Sequence, residues 1–427
     1  MNNIIIETLT PIHIGSGNIL YHNTDFVQYN VVKKGKNFTN DKNDKTEESH
    51  IAVISEEKIW KLLGEQHLDN WLAAIAKREN LKDFLKRFAP EAKSKDYAKR
   101  RMPLYSTLNK NDTLKECIHN GLGLPYIPGS SIKGAIRTAL LSSLSNRIPD
   151  KEEKIEVQDR RGRTSIVATA IEQELFGSDP NSDIFRFIQV GDAYFQEETE
   201  IATRLISLNI RKSDENLQDT SKSQLVEAIG PDSKSELQLK VAKDYYEFVK
   251  RNYPQTGDLP VSSISDLFAL INEHTRRLVA DEINYWSEIE KTGGEVYIEE
   301  MQKILNVITD IKSGESCVLR IGHASGWRFI TGAWTESLKN FKDTVIPASR
   351  PNFRTYIEYD FPKSRRLDEE SYILGFIKLS NNGTVAERSR SIPAVASNNG
   401  TVAERSRSIP AVESNNGIPA VAKKNSY

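Results

Sequence analysis

The stretch Tyr126–Leu141, with the sequence YIPGSSIKGAIRTALL, combines a turn with the start of an amphipathic helix. Pro128 and Gly129 predict the turn, and either Ser130 or Ser131 is placed to cap the helix that follows. Its apolar residues recur at helical spacing and predict one buried stripe, formed by Ile132, Ala135, Ile136, Ala139 and Leu140. The stretch therefore predicts a helix that begins directly after a glycine-serine turn.

Two basic residues of this helix favour an anionic partner. Lys133 and Arg137 lie four residues apart, so they project from one side of the helix. The free backbone N–H groups and the positive end of the helix dipole also favour an anion here. We predict contact with a nucleic-acid phosphate backbone through these two cations and Gly129, Ser130 and Ser131. The alternative is an ordinary capped helix with solvated charges.

A second glycine-containing segment lies near the N-terminus. Residues 3–8 form a β-branched run that predicts a strand, and the chain continues through Pro11 into a loop. In this loop His13 is followed by Gly15, Ser16 and Gly17.

Together, these two segments resemble the RAMP superfamily of CRISPR–Cas RNA-binding proteins. They resemble most closely the family of fifth subunits of type III-A (Csm) effector complexes. Two further segments support the resemblance: Leu175-Phe-Gly177 followed by Phe187-Ile-Gln-Val-Gly-Asp-Ala193, and Arg320-Ile-Gly-His-Ala-Ser-Gly-Trp-Arg328. The resemblance extends from about Asn3 to Leu379.

The resemblance implies an α+β fold with two ferredoxin-like (RRM-like) modules and helical insertions. We expect one module over residues 1–150, with an insertion at about 55–120, and one over residues 151–379, with an insertion at about 232–291. Runs of strands broken by helices, without regular βαβ alternation, also favour the α+β class. Local patterns predict strands at 4–8, 26–32, 184–190, 201–210, 317–321 and 372–379, helices at 68–75, 81–88, 237–251 and 264–289, and a mobile loop at 33–50.

By resemblance, the chain is a non-catalytic subunit that binds the 3′ region of the crRNA and assists its maturation. Its partners would be crRNA, other Csm subunits and recruited host nucleases. In the segment 320–328, Gly322 and Gly326 allow a ligand to approach the backbone closely, and Arg320 and Arg328 can neutralise phosphates. The RNA-binding residues expected on these grounds are His13, Gly15, Ser16, Gly17, Gly129, Ser130, Ser131, Lys133, Arg137, Arg320, Gly322, Ser325, Gly326 and Arg328.

Two other functions stay open. His13 could act as the general base of a metal-independent endoribonuclease, although no acid–base partner is apparent from spacing. The chain could also be a scaffold that contacts protein alone. We predict no catalytic residue, no metal site and no cofactor, since the histidines lack metal-ligand spacing and Lys133 is not in a P-loop sequence.

Composition indicates a large protein of near-neutral charge. Its 427 residues include 58 Lys+Arg and 59 Asp+Glu, which argues against a free-standing nucleic-acid binder but allows a local basic groove. The basic segment 77–101 is a solvated helix face or a second candidate RNA surface. Two cysteines, no signal peptide and no membrane-length apolar run lead us to expect a soluble, cytoplasmic protein.

The end of the chain differs in character from the rest. Residues 380–396 read SNNGTVAERSRSIPAVA, and residues 397–413 repeat them with one change. These copies are poor in large apolar residues, so we expect residues 380–427 to form a disordered repeat tail.

Overall fold

The frame of the molecule is formed by two large β-sheets and the helices that contact them. The computed structural model describes residues 2–34, 45–158, 164–210, 215–289, 291–349 and 362–381. By its contacts the chain divides into residues 1–386 and residues 387–427, and all described residues lie in the first unit. Two predictions fall outside the described residues: the repeat tail from residue 382 onward, and residues 35–44 of the expected mobile loop.

Strands and helices alternate irregularly, which confirms the predicted α+β class. The described strands are β1 (Asn2–Thr8), β2 (Gly15–Tyr21), β3 (Phe26–Lys34), β4 (Lys45–Ile54), β5 (Ala98–Tyr105), β6 (Thr113–Cys117), β7 (Tyr126–Ile127), β8 (Glu156–Gln158), β9 (Thr164–Ile166), β10 (Ile188–Val190), β11 (Ala193–Tyr194), β12 (Glu200–Asn209), β13 (Gln218–Ile229), β14 (Lys234–Val241), β15 (Ser316–Arg320), β16 (Ser364–Asp368) and β17 (Phe376–Asn381). The described helices are α1 (Glu56–Leu63), α2 (Leu68–Ala76), α3 (Leu81–Phe88), α4 (Ser94–Tyr97), α5 (Gly129–Leu144), α6 (Lys151–Lys154), α7 (Thr169–Phe176), α8 (Lys243–Asn252), α9 (Ile264–Ser287), α10 (Glu295–Asp310) and α11 (Ile346–Ser349). None of the described helices is long and apolar enough to cross a bilayer.

β1 is the central strand of a five-stranded sheet with the order β10-β14-β1-β17-β15. It pairs antiparallel with β14 on one edge and with β17 on the other. Its alternation explains this position, because Ile4 and Ile6 are completely buried on one face while Ile5 is half-buried on the other. The sheet therefore combines strands from both expected modules, and the two ferredoxin-like modules stay a prediction.

The larger sheet has the order β2-β6-β13-β12-β5-β4-β3, with β16 paired to β12. β6 pairs antiparallel with β2 and parallel with β13, so it lies between them. This arrangement places β2 at one edge of the sheet, directly after the loop that follows β1.

The apolar stripe of α5 lies in the core, as predicted. Ile132, Ile136, Ala139 and Leu140 are completely buried, and Ala135 is half-buried against them. The helix contacts β10, α9 and a 3-10 helix at Thr331–Ser337.

Two segments that we expected to be helical contain strands. The expected helix at 237–251 is wrong in its first part, because β14 extends to Val241 and α8 begins only at Lys243. Leu237 and Leu239 are both buried at a spacing of two, the period of a strand, and complete the five-stranded sheet. Likewise, within the insertion expected at about 55–120, α1 to α4 are followed by β5 and β6 of the larger sheet.

The last core strand extends beyond the expected start of the tail. Ser380 pairs with Ile5, and its hydroxyl accepts a hydrogen bond from the Ser316 hydroxyl over 2.9 Å. Asn381 pairs with Ile4, and its amide donates to the Glu315 carbonyl over 3.2 Å. The folded part therefore extends at least to residue 381, two residues beyond the boundary predicted after residue 379.

Removal of residues 382–427 should leave the free energy of unfolding unchanged, because it keeps β17 whole and removes only sequence too poor in apolar residues to fold. Thermal denaturation of the full and truncated chains checks this expectation. A chain ending at Gly375 is the control: it also loses the buried side chains Phe376, Ile377 and Leu379, each worth about 2–5 kcal/mol, and should not fold. A marked fall in melting temperature for the first truncation would contradict the prediction.

Candidate nucleic-acid interface

Two loops that are distant in the sequence lie against each other. The N-terminal loop (residues 9–14) follows β1, and the glycine loop (residues 321–326) follows β15. The His323 amide donates a hydrogen bond to the His13 carbonyl over 2.9 Å, and the Gly375 amide donates to the Pro11 carbonyl over 3.0 Å. The structure therefore joins two segments that the sequence marked separately.

Glycine is required at position 322 for this contact. Gly322 has a φ of +77°, a conformation that side-chain-bearing residues rarely adopt. A Cβ atom here would also lie only 2.6 Å from the His13 carbonyl oxygen. The Ser325 hydroxyl closes the glycine loop by donating to the Gly322 carbonyl over 3.2 Å, and Gly326 has a φ of +82°.

The two loops and the adjoining strands line a cavity of about 390 Å³ that is open to solvent on one side. The ring centroids of His13 and His323 lie 5.6 Å apart in an edge-on arrangement. The cavity lining consists of residues from the N-terminal loop, β2, β6 and the glycine loop: His13, Gly15, Gly17, Asn18, Ile19, Lys115, Glu116 and His323.

Both histidines of the cavity are neutral at pH 7. His13 Nδ1 lies 2.6 Å from the Glu227 carbonyl oxygen, so Nδ1 carries the proton and Nε2 is left as an acceptor. Burial lowers the pKa of His13, in spite of this hydrogen bond. Burial, together with the nearby Lys115 ammonium, lowers the pKa of His323 to about 4.

β2 presents backbone groups to solvent beside the cavity. The Ser16 hydroxyl and the Asn18 side-chain amide both donate to one oxygen of Glu116, over 3.0 and 2.7 Å. Gly17 has a φ of +94° and no atom within 4 Å of a hypothetical Cβ, so a ligand can approach its backbone closely. Gly15 and the rest of the strand are largely exposed.

A buried charge network supports the floor of the cavity. Arg100 Nη2 donates to Glu227 Oε1 over 2.6 Å and to Glu116 Oε1 over 3.0 Å. The Cys117 amide donates to the second oxygen of Glu227 over 2.8 Å. Since the Glu227 carbonyl also binds His13, this network fixes the position of the imidazole.

The same network contains the one group of described residues whose atoms are close enough to hold a metal ion. The ligand atoms of His119, Glu200 and Glu227 lie within 4.8 Å of one another. The Arg100 guanidinium occupies this place, with Nε at 3.1 Å from Glu227 Oε1 and 4.0 Å from Glu200 Oε1. Because a resident cation already balances the carboxylates, we assign no metal here.

The start of α5 differs from the prediction. Gly129 is the first helical residue and Pro128 precedes it, so neither Ser130 nor Ser131 is the capping residue. The Gly129 amide instead donates to Asp192 Oδ1 over 2.7 Å. The position of an anion at this helix start is therefore taken by a carboxylate of the chain itself.

Lys133 and Arg137 lie over aromatic rings rather than beside the glycine loops. Arg137 pairs with Glu172 over 3.1 Å and Asp183 over 3.4 Å, and its guanidinium carbon lies 4.2 Å from the Phe176 ring centroid. Lys133 lies over the Phe185 ring at 5.2 Å, and burial lowers its pKa.

The expected RNA-binding residues form two groups at opposite ends of the five-stranded sheet. The start of α5 packs on Gly191, and the Gly191 amide donates to the carbonyl of Gln238. Because Gln238 pairs with Asn3, the start of α5 lies near the beginning of β1. The N-terminal loop begins after Thr8, at the far end of β1, about 17 Å along the strand at about 3.4 Å per residue.

Arg320 is buried, which corrects the expectation that it neutralises phosphates. Its Nε donates to the Leu374 carbonyl over 2.9 Å. Its guanidinium carbon lies 4.7 Å from the Phe329 ring centroid and 4.8 Å from that of Phe376.

Arg328 is also buried and paired. It binds Glu282 and Glu336, each over 2.8 Å, and Glu282 also pairs with Arg365 and accepts from the Tyr297 hydroxyl. Burial alone would raise the pKa of Glu282, but the guanidinium groups of Arg365 and Arg328 outweigh it and lower the pKa to about 2. This arginine therefore serves the core rather than an RNA surface.

Sequence reasoning missed Lys115, the basic side chain of the cavity. No local pattern marks it, since its position depends on the pairing of β6 with β2 and β13, which are distant in the sequence. The basic segment 77–101, in turn, was expected to be a solvated face or an RNA surface, yet its Arg100 is buried.

Comparisons with known proteins agree with this architecture. A family model described as the RAMP superfamily matches residues 5–366. The fold is similar to a chain of a Csm–crRNA–target RNA ternary complex from a type III-A CRISPR–Cas system, with a TM-score of 0.62, 19% identity, and coverage of 89% of this chain and 100% of that chain. It is also similar to Csm5 of T. onnurineus, with a TM-score of 0.54, 18% identity, and coverage of 87% and 99%. No match was found among curated proteins.

Gly322→Ala should destabilise the protein by about 1–3 kcal/mol, because a Cβ atom is strained at this φ and collides with the His13 carbonyl. Denaturant titration measures the loss. Gly332→Ala is the matched control, since no atom lies within 4 Å of its Cβ position and it has no positive φ. Equal stability of the two variants would show that the loops do not pack as described.

Proposed function

Because the chain belongs to the RAMP superfamily, we propose that it is a non-catalytic, crRNA-binding subunit of a type III-A CRISPR–Cas (Csm) effector complex. It would bind the 3′ region of the crRNA, contact other Csm subunits and assist crRNA maturation in antiviral defence. Host nucleases would be further partners, and the complex would act in the cytoplasm. In this proposal the fold consists of two ferredoxin-like modules, residues 1–150 and 151–381. The helical insertion of the first module supplies α1 to α4.

One observation carries the RNA-binding proposal: the N-terminal loop and the glycine loop form a single surface around a cavity with a basic side chain. His323 binds His13, and Lys115 lines the space between them. The similarity of the fold to a chain found in a Csm–crRNA–target RNA complex supports the choice of RNA as ligand.

The proposed mechanism is sequence-tolerant capture of the RNA backbone. Gly17 lets a phosphate approach the main chain, because no atom lies within 4 Å of its Cβ position, and Lys115 supplies positive charge. Gly15, Ser16 and Gly322 hold the surrounding backbone in place. His13, Ser325 and Gly326 shape the same surface. Lys133 and Arg137, with Ser130 and Ser131, would form a second contact further along the RNA, while the Gly129 amide stays bonded to Asp192.

The charge states of the two histidines support a non-catalytic role. Acid–base cleavage of RNA needs one group that accepts a proton and one that donates it at the working pH. Burial lowers the pKa of both His13 and His323, so both are neutral acceptors at pH 7. The cavity thus lacks a histidine acid.

The second candidate function is a metal-independent endoribonuclease, favoured by the proximity of His13, His323 and Lys115 in one cavity. Here His13 Nε2 would be the base and Lys115 the acid. We expect purified protein to leave single-stranded RNA intact in EDTA. Cleavage by the wild type, slowed by about a hundredfold or more in His13→Ala, would overturn the non-catalytic proposal.

Lys115→Gln should weaken binding of single-stranded RNA of every sequence. It should also reduce the slope of log affinity against log salt by about 0.7, the value for one phosphate of a single strand. Lys61→Gln is the matched control, because it removes the same charge from an exposed, i,i+4-paired surface residue. Fluorescence anisotropy at several salt concentrations gives both quantities.

The double variant Lys133→Ala with Arg137→Ala tests the second group in the same assay, with an expected slope change of up to about 1.4. An unchanged slope for Lys115→Gln, with the fold intact, would place the RNA away from the loop cavity. An unchanged slope in both variants would contradict the proposed RNA surface. Sequencing of RNA that co-purifies with the tagged chain tests the assignment to the crRNA 3′ region.

A further inference from the structure

His13 presents an unpaired acceptor to the cavity between the N-terminal loop and the glycine loop. Its Nδ1 is bound to the Glu227 carbonyl oxygen, which fixes the proton on that nitrogen and leaves the lone pair of Nε2 free. Nε2 has no hydrogen-bond partner among the described residues, and it is not among the unpaired atoms that are closed off from solvent. A side chain that is only 3% exposed and offers a free acceptor to a cavity favours a ligand that donates a hydrogen bond.

Glycine at position 15 keeps this acceptor open. A Cβ atom on Gly15 would lie 3.3 Å from Nε2 of His13, so a side chain here would crowd the imidazole on the side of the cavity. Gly15 has no positive φ, so its backbone conformation does not itself demand glycine. The missing side chain therefore leaves room for a ligand at Nε2.

A cation lies near this acceptor. The Lys115 ammonium donates to the Gln224 side-chain oxygen over 2.9 Å, which leaves two of its N–H groups for a ligand. Burial lowers the pKa of His13, and the nearby Lys115 charge lowers it further, so the imidazole is neutral at pH 7. The cavity thus offers one neutral acceptor of fixed orientation and one positive charge.

This combination matches the sugar-phosphate backbone of RNA. Phosphate oxygens accept hydrogen bonds from cations such as Lys115. The ribose 2′-hydroxyl is the one hydrogen-bond donor of that backbone, and DNA lacks it. A contact with the 2′-hydroxyl does not depend on the base, which agrees with sequence-tolerant capture of the RNA.

We propose that His13 Nε2 accepts a hydrogen bond from a ribose 2′-hydroxyl while Lys115 binds an adjoining phosphate, so that the cavity selects RNA over DNA. RNA as the ligand rests on the proposed function. His13 is then a residue that determines specificity for the sugar, and Gly15 gives the sugar access to it.

Oligomers with fluorine in place of every 2′-hydroxyl test this contact, because fluorine cannot donate a hydrogen bond. The full chain should bind a single-stranded ribo-oligomer about three- to tenfold more tightly than the 2′-fluoro oligomer of the same sequence, as expected for one hydrogen bond. The ratio should be alike for oligo(A) and oligo(U), since the backbone donor is the same in both. Fluorescence anisotropy gives the affinities.

His13→Phe should bind both oligomers equally, and about as weakly as the wild type binds the 2′-fluoro oligomer. Gly15→Ala keeps the imidazole and its bond to Glu227 but places a methyl group 3.3 Å from Nε2, so it should also lower the ratio. His50→Phe is the matched control and should keep the wild-type ratio. Its Nδ1 also lies near a backbone carbonyl, that of Glu48 at 3.4 Å, but β4 is five strands away from β2.

Equal binding of the two oligomers by the wild type overturns this inference. The same holds for an unchanged ratio in folded His13→Phe and Gly15→Ala, for a ratio confined to one base sequence, and for a ratio lost equally in His50→Phe. Binding of the ribo-oligomer itself decides the proposed function. RNA binding without discrimination therefore removes this inference alone, whereas absence of RNA binding removes both.

Discussion

The placement of β1 between β14 and β17 is the constraint on which the candidate interface depends. The strand is hydrogen-bonded along both edges, and its completely buried side chains Ile4 and Ile6 hold it in the core. At one end of the sheet, β1 leads into the N-terminal loop and β15 leads into the glycine loop. The pairing of distant strands therefore brings His13 and His323 into contact, and a loop that glycine alone can form completes the surface.

Local patterns predicted those elements whose burial follows from their own residues. The predictions of the apolar stripe of α5 and of the strand at residues 4–8 were correct. The helical period of three to four residues and the strand period of two residues are both visible within the segments themselves. β14 was missed, since a short apolar run such as that around Leu237 and Leu239 fits either a strand or a helix until its neighbours are known. The division into modules depends on pairing between distant strands and was equally beyond local pattern.

The candidate site was predictable where backbone geometry determines the residue and unpredictable where charge pairing does. The sequence marked Gly322 as a position where the backbone can approach a ligand, and in the structure the group that it approaches is the His13 carbonyl. The buried state of Arg328 could not be predicted from the sequence, because its carboxylate partner Glu282 lies on α9, which is distant along the chain. Removal of one member of such a buried pair lowers the free energy of unfolding by about 3–5 kcal/mol. Arg328 therefore stabilises the fold. Within the described residues, five arginines are buried: Arg100, Arg204, Arg320, Arg328 and Arg365.

The central position of β1 also governs how the chain is made. Ile4 pairs with Leu237 on one edge and with Asn381 on the other, so β1 is synthesised well before either of its partner strands. At a translation rate of about 5–20 residues per second, about 20–75 s pass between the synthesis of Ile4 and that of Asn381. During that interval a β-branched strand has no native partner along at least one edge, and such edges invite pairing with other chains. This topology therefore favours protection of β1 until its partner strands have been made.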